Sequence, residues 1–331
     1  MTLIYTASNA DTAGGHTVAS TLADTFDPVF CEESIRCSAV GEAFPVKFVA
    51  PAADMNLAFA VRMPSHLNTT NTSLDGHWIA FYDTADTLIG KLDITDARPR
   101  AYVSDGGAND QNSATYSLGV DSGFYQYVIR LQVTPTDITM RIFVGGAQVA
   151  MATCTNATGI TAVARASFDH DDCLTTSSGS NASIYYSEIR VMDGESLIDT
   201  RMHSRTALAD GHHTDWAGGA AMLHVAGDGT RAASDTAGER MSSTLAAYGG
   251  PAAPSGVRAV ALQARLQRGG SGPAQARQFL RITGTDYDGA DVTPDDVTFA
   301  PELQVWDNNP ATLAAWDTAD LGFEIGLQSR P

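Results

Sequence analysis

The segment YQYVIRLQVTPTDITMRIFVGGAQVAM, residues 125–151, decides the fold. Its apolar side chains alternate with polar ones at a period of two over 125–133 and again over 138–144. That period is typical of β-strands with one buried face. Between the two runs, residues 134–137 (Thr-Pro-Thr-Asp) have turn chemistry, and Gly145-Gly146 provides a tight turn into a third strand through Val149 and Met151. The segment therefore predicts consecutive antiparallel strands.

The same alternation recurs along the chain, so the prediction extends to an all-β protein. No stretch before residue 300 keeps a helical period beyond two turns, whereas Asn309-Pro310 fits the start of one short helix because Pro is favoured at the first helical position. We predict two antiparallel β-sandwich, jelly-roll-like domains with one short helix near the C-terminus. The further strands are expected at 57–63, 77–82, 88–94, 184–191, 260–266, 279–282, 297–299, 303–305 and 323–327.

Charge and length exclude several classes of protein. The 331 residues include 20 Lys and Arg against 38 Asp and Glu, a net charge of −18, and Lys47 and Lys91 are the only lysines. A chain this acidic lacks the basic surface that binds nucleic acid or an anionic membrane. No apolar run approaches a membrane span, and the first eight residues lack the features of a signal peptide.

The length suits about two domains, each with its own core. The composition shifts between 195 and 205, which places the expected boundary near residue 200. We therefore predict one domain at 1–200 and a second at 201–331.

The first domain resembles a concanavalin A-like jelly roll of the laminin-G or lectin type. The likeness is one of strand pattern and spacing, in LAFAVRMPS (57–65), GHWIAFYDTADTLIGKLDI (76–94), the segment at 125–149 and SIYYSEIRVMDGESLIDT (183–200). This resemblance implies two stacked antiparallel sheets in which a late strand, here 184–191, returns beside an early one.

The second domain resembles a module of tailed-bacteriophage virion proteins, of the tail or minor structural type. The resemblance covers about 205–331 and is carried by TDWAGG (214–219), VAGDGTRAASDTAGERM (225–241), the segment at 257–289 that ends in a Gly-Thr-Asp-Tyr turn, and VWDNNPATLAAWDTADLGFEIGL (305–327). Asp317 between Trp316 and Thr318 departs from the family pattern. No enzyme activity belongs to that module.

These resemblances imply a structural component of a tailed-phage or phage-like virion, assembled in the host cytoplasm and placed at the tail tip, baseplate or fibre. Its partners would be other virion proteins, sister subunits in a homo-oligomer and a host-surface glycan. A capsid decoration or head spike protein, and a carbohydrate-binding receptor-recognition protein in its own right, remain as alternatives.

A polysaccharide-degrading enzyme is the alternative of a different class, and we expect no enzyme. Glycoside hydrolysis needs two carboxylates about 5–9 Å apart. The Glu-x-Asp-x-x-Glu spacing that hydrolases of this fold use is absent from every predicted strand, and the chain has only eight glutamates.

Two acidic clusters and one histidine pair are the candidate metal ligands. Asp169, Asp171 and Asp172 offer the oxygen ligands that calcium prefers, and so do the acidic residues of 286–291, although the Gly-Thr-Asp-Tyr turn favours hydrogen bonds from Asp286 to its own backbone. Neighbouring side chains of a strand point to opposite faces, which disfavours a shared metal at His212-His213. The four cysteines form no CxxC pair. We expect no cofactor, with calcium as the one ion that these carboxylates suit.

Sugar recognition needs an aromatic ring that stacks on the apolar face of the sugar, with polar groups around it. Most aromatic residues of a sandwich belong to its core, so each candidate competes with that role. The candidates are Trp78, Tyr82, Tyr102, Tyr116 and Tyr125.

Overall fold

The computed structural model describes residues 2–7, 35–37, 42–62, 76–95, 98–116, 124–170, 184–194, 197, 200–203, 205–223, 231–246, 256–296 and 300–331. Contacts divide the chain into two units, Met1–Met202 (unit 1) and His203–Pro331 (unit 2). The described part of both is built almost entirely of antiparallel strands, which confirms the predicted all-β class. Within that part, no helix is long and apolar enough to cross a bilayer.

Thirteen strands of unit 1 form two sheets. In chain order they are β1 (Thr2–Ala7), β2 (Ile35–Cys37), β3 (Glu42–Ala52), β4 (Asp54–Arg62), β5 (Gly76–Tyr82), β6 (Leu88–Thr95), β7 (Arg98–Val103), β8 (Gln111–Asn112), β9 (Phe124–Val133), β10 (Asp137–Val144), β11 (Ala147–Thr155), β12 (Val163–His170) and β13 (Ile184–Asp193). The seven-stranded sheet has the order β1-β13-β4-β9-β10-β11, with β2 also paired to β13. The six-stranded sheet has the order β3-β12-β5-β6-β7-β8.

Local sequence explains the hairpins of the seven-stranded sheet. Val144 lies opposite Ala147, so Gly145-Gly146 is a two-residue turn, and the φ angles of these glycines are +56° and +84°. Such a turn needs positive φ at both central positions, which glycine adopts without strain. The segment at 125–151 therefore forms β9, β10 and β11, as predicted.

An aromatic cluster connects the two sheets of unit 1. Phe59 of β4 stacks on Tyr127 of β9 at 5.3 Å between ring centres, and it meets Phe168 of β12 edge-on at the same distance. Phe168 also meets Tyr186 of β13 edge-on at 4.9 Å. Phe59 and Phe168 belong to different sheets, so their contact closes the sandwich around its core.

Seven strands of unit 2 form a five-stranded and a two-stranded sheet. They are β14 (Ala207–Thr214), β15 (Arg240–Leu245), β16 (Val260–Leu266), β17 (Gln275–Ile282), β18 (Thr285–Val292), β19 (Ala300–Trp306) and β20 (Glu324–Arg330), with short 3₁₀ helices at Ala220–Met222 and Thr318–Leu321. The larger sheet has the order β14-β15-β20-β17-β18, and β16 pairs with β19. Leu262 and Trp306 of the smaller sheet pack with Leu280 and Ile282 of the larger one, which buries one face of each.

The short helix begins at Thr318, so the predicted start at Asn309-Pro310 is wrong. The backbone amides of Thr312 and Leu313 both donate to the Asn309 carbonyl, and Leu313 then adopts a φ of +59°. A residue in this left-handed region ends a helix after one turn. Asp317 instead caps the 3₁₀ helix, through a reciprocal capping box with Asp320.

The other predicted strands all coincide or overlap with strands of the structure, except 297–299, which lies outside the described residues. Cys154 on β11 is a buried free thiol, and burial raises its pKa to about 11. It therefore behaves as a small apolar side chain.

Gly326 on β20 supports a first prediction, because the Phe279 ring of β17 covers it. A Cβ at this position would collide with that ring and lie 2.6 Å from the Met241 carbonyl oxygen. We expect Gly326→Ala to lower the free energy of unfolding of unit 2 by about 1–3 kcal/mol, measured by urea denaturation. Gly322→Ala is the matched control, since a Cβ there meets no described atom within 4 Å. Equal losses in the two variants would contradict this packing.

Candidate binding site

Two tyrosines lie outside the core on the solvent side of the six-stranded sheet. Tyr82 on β5 is the register partner of Arg165 on β12, and Tyr102 on β7 is the partner of Lys91 on β6. Side chains directly opposite each other in a ladder share one face, so each ring has a cation beside it. The Arg165 guanidinium carbon is 3.7 Å from the Tyr82 ring centre, and the Lys91 Nζ is 4.8 Å from the Tyr102 ring centre. Both tyrosines are partly exposed.

A buried carboxylate orders the charges beside Tyr102. Asp93, whose side chain is 6% exposed, accepts from Arg100 at 2.7 Å and pairs with Lys91 at 3.0 Å. Two cations therefore share one carboxylate, which leaves a positive charge at the surface. Arg165 pairs separately with the exposed Asp86 at 2.7 Å.

The Tyr102 hydroxyl stays protonated at neutral pH. Burial raises its pKa, and the hydrogen bond and charge of Asp110 raise it further. The hydroxyl is therefore a hydrogen-bond donor on the same surface as the cations. We call the surface formed by Tyr82, Lys91, Arg100, Tyr102 and Arg165 the tyrosine face.

The other three aromatic candidates lie elsewhere. Trp78 is 1% exposed and meets Tyr127 in the core, where no ligand reaches its ring. Tyr116 and Tyr125 pack against that core, and burial strongly raises the pKa of Tyr116. The structure therefore brings Tyr82 and Tyr102 together on one surface and separates them from the remaining candidates.

Sequence reasoning singled out the two tyrosines but missed their cations and Asp93. The available signal was strand parity, since Lys91 and Asp93 alternate with the buried Leu92. The partners across the ladder were not readable, because Arg165 lies 83 positions beyond Tyr82 in the chain.

The calcium prediction at 169–172 stays a prediction. Asp169 is a backbone member of β12, whereas Asp171 and Asp172 lie outside the described residues. Within the described ranges, no three His, Cys, Asp or Glu side chains come together as metal ligands.

The second acidic cluster forms ion pairs across the sheet of unit 2. The turn lies at Thr283-Gly284, and Asp286 belongs to strand β18. Asp286 accepts from Arg281 at 2.6 Å, from Arg240 at 2.9 Å, and lies 2.7 Å from His213 Nε2. The expectation that Asp286 would bond to its own turn is therefore wrong, because the strand directs its carboxylate towards three cross-strand partners.

The rest of this network follows the same pattern. Asp288 pairs with Arg240 and Arg277, and Asp291 pairs with Arg277 and Arg330. These carboxylate oxygens face guanidinium groups, which is the chemistry of a structural ion-pair network rather than of a cation site. The Phe279 ring lies under this network, 4.9 Å from the Arg240 guanidinium carbon.

The network gives unit 2 an acid-sensitive contribution to stability. Burial alone would raise the pKa of Asp286, but the hydrogen bonds from Arg281 and His213 outweigh burial, so the pKa lies below its usual value of 3.8. A carboxylate with a lowered folded-state pKa stabilises the fold fully above its unfolded pKa, and this contribution is lost as the pH falls through the folded pKa.

We therefore expect Asp286→Asn to lower the free energy of unfolding by about 1–3 kcal/mol at pH 7. The difference from the parent chain should shrink below a pH of about 4, as Asp286 becomes protonated in both states of the parent. Urea denaturation across pH 2–7 measures it. Asp296→Asn is the control, because Asp296 is 60% exposed and pairs only with Arg268 among the described ion pairs. A pH-independent loss would count against the assignment.

No protein-family model matches the chain, and no curated protein matches its sequence. Among solved structures, the binding domain of botulinum neurotoxin serotype D is 10% identical, with a TM-score of 0.38 over 50% of this chain and 40% of that one. A structure of botulinum neurotoxin type C, described with its dependence on two ganglioside molecules for cell entry, is 8% identical, with a TM-score of 0.42 over 99% of this chain and 89% of that one. The binding domain of botulinum neurotoxin DC in complex with rat synaptotagmin II is 9% identical, with a TM-score of 0.40 over 96% and 88%.

The chain thus spans about two fifths of the serotype D domain. Its own sheets define the class: an all-β protein of two sandwich-like units, with a cation-flanked pair of tyrosines on one solvent-facing sheet surface.

Proposed function

We propose that the chain is a recognition protein that binds glycans through the tyrosine face of unit 1, without turnover. The observation that carries the proposal is the pair of partly exposed tyrosines, each beside a cation, on the solvent side of one sheet. Glycan recognition combines a ring that packs on sugar C–H groups with donors that reach the hydroxyls.

The tyrosine face supplies donors as well as rings. Lys91 has three N–H donors and directs one towards Asp93, while Arg100 uses Nε and Nη2 on the same carboxylate and keeps Nη1 for another acceptor. Asp93 fixes both cations, so their order is set before a ligand arrives, which lowers the entropic cost of binding.

The spacing of the two rings suits an oligosaccharide better than a single sugar. Tyr82 lies on β5 and Tyr102 on β7, with β6 between them. Two strand spacings separate the strands by about 10 Å. A ligand that touches both rings therefore spans Lys91.

Binding without turnover agrees with the roles of the carboxylates nearest the core. The side chain of Glu188 is fully buried and forms a two-pronged ion pair with Arg201. Asp93 is held by two cations. Both carboxylates therefore serve as structural anions.

We place this recognition protein on a tailed-phage or phage-like virion, at the tail tip, baseplate or fibre, with capsid decoration or a head spike as the alternative position. The support is the sequence resemblance over 205–331. The motif residues of that resemblance have architectural roles in unit 2: the Trp316 indole donates to the Trp306 carbonyl at 2.8 Å, and the buried Asn309 orders its turn. In this proposal unit 2 attaches the chain to the particle and unit 1 faces the host.

The glycan proposal is tested by variants of the two rings. We expect Tyr82→Ala and Tyr102→Ala each to weaken binding of a glycan identified on an array by about tenfold, because each removes a stacking surface. Titration calorimetry with that glycan measures the change. Tyr185→Ala is the control, since Tyr185 is a partly exposed tyrosine on the other sheet of unit 1. Loss of binding in the control alone, or an array without any bound glycan, would overturn the proposal.

The virion placement is tested on purified particles. We expect mass spectrometry to find the chain in particles that remain intact through a density gradient, and labelled antibody to mark the tail end in electron micrographs. Label on the head would favour decoration or a spike, and a chain absent from the particles would refute the virion placement while leaving the glycan proposal to its own test.

A further inference from the structure

Strand β11 forms one edge of the seven-stranded sheet, next to β10. Every second backbone N–H and C=O of an edge strand points away from its sheet and offers hydrogen bonds to another strand. At nine residues, Ala147–Thr155 is long for an edge strand, and its sequence AQVAMATCT contains no charged residue and no proline.

The other edge strands that the structure describes carry the usual protections against pairing. Strand β3 contains Glu42, Lys47 and two prolines, and β8 has only two residues. In unit 2, β14 and β18 carry aspartates and irregular register. Strand β1 is short and is interrupted by a bulge. Natural sheets use charges, prolines, bulges and short strands to prevent association, so their absence from β11 is informative.

The side chains of β11 match those of a second copy. In an antiparallel pair centred on Met151, Val149 faces Thr153 and Ala147 faces Thr155 on the outer side. On the core side Ala150 faces Ala152, and both are small and already buried. β-branched pairs and small residues fit an inter-strand contact. Met151, which is 46% exposed, would meet its own copy at the two-fold axis.

Charge favours this strip over the rest of the surface. Two chains with a net charge of −18 repel each other, and the repulsion is smallest where the contact carries no charge. We infer that two copies of this chain associate through antiparallel pairing of their β11 strands about Met151, which joins two seven-stranded sheets into one continuous sheet.

The test measures the oligomeric state of the full chain by sedimentation velocity over a range of concentrations. We expect a reversible dimer, and Met151→Lys should weaken it at least about tenfold, because it places like charges opposite each other at the axis. Leu208→Lys is the matched control: Leu208 is 60% exposed on edge strand β14, so the variant adds the same charge elsewhere. It should leave the dimer unchanged.

A cysteine at the axis checks the register. Residues directly opposite in an antiparallel pair have Cα atoms about 4.5–5.5 Å apart, within the range that a disulfide spans. Met151→Cys should therefore form a disulfide-linked dimer under mild oxidation, and the parent chain should not. A parent chain that stays monomeric, a dimer that Met151→Lys does not weaken, or a dimer that Met151→Cys does not cross-link would each overturn the inference. All three readouts are independent of glycan binding.

Discussion

Phe59 stacks on Tyr127 within one sheet of unit 1 and meets Phe168 of the other sheet edge-on. This aromatic contact sets the separation of the two sheets, because rings of this size must interdigitate rather than oppose each other across the core. Once the separation is fixed, strand parity decides the rest. Residues alternating with Phe168 and Leu92 face solvent, so Arg165, Lys91 and Asp93 reach the surface where Tyr82 and Tyr102 lie. The tyrosine face is thus a consequence of how the core packs behind it.

Strand positions were readable from sequence, whereas partners across the strands were not. The alternation at 125–151 indicated β9, β10 and β11 correctly, because a half-buried strand imprints its period on adjacent residues. Asp286 shows the opposite case: its neighbours suggested a self-bonded turn, but its partners Arg240 and His213 come from other strands. The Asn309 turn failed as a helix start for a related reason, since the local pattern allowed one turn and the left-handed Leu313 ended it. Tyr82 and Tyr102 were found by residue type, and Asp93 with its two cations required the ladder.

The acidic composition has different consequences in different parts of the molecule. In unit 2, Asp286, Asp288 and Asp291 are matched by arginines and hold one face of the sheet. In unit 1, Asp93 is overcompensated by Lys91 and Arg100, so a positive surface exists on a chain whose total charge is strongly negative. Local pairing, rather than the total charge, therefore determines what each surface attracts.

Both units place their last strand in the middle of a sheet. Strand β13 lies between β1 and β4, with Asp193 opposite Thr2, and β20 lies between β15 and β17. During synthesis, the first strand of unit 1 must therefore wait for a partner made almost 200 residues later. At translation rates of about 5–20 residues per second, that delay is on the order of 10–40 seconds. The nascent chain spends this time with apolar strand faces uncovered, so its folding on the ribosome depends on protection by chaperones or on rapid completion of the last strand.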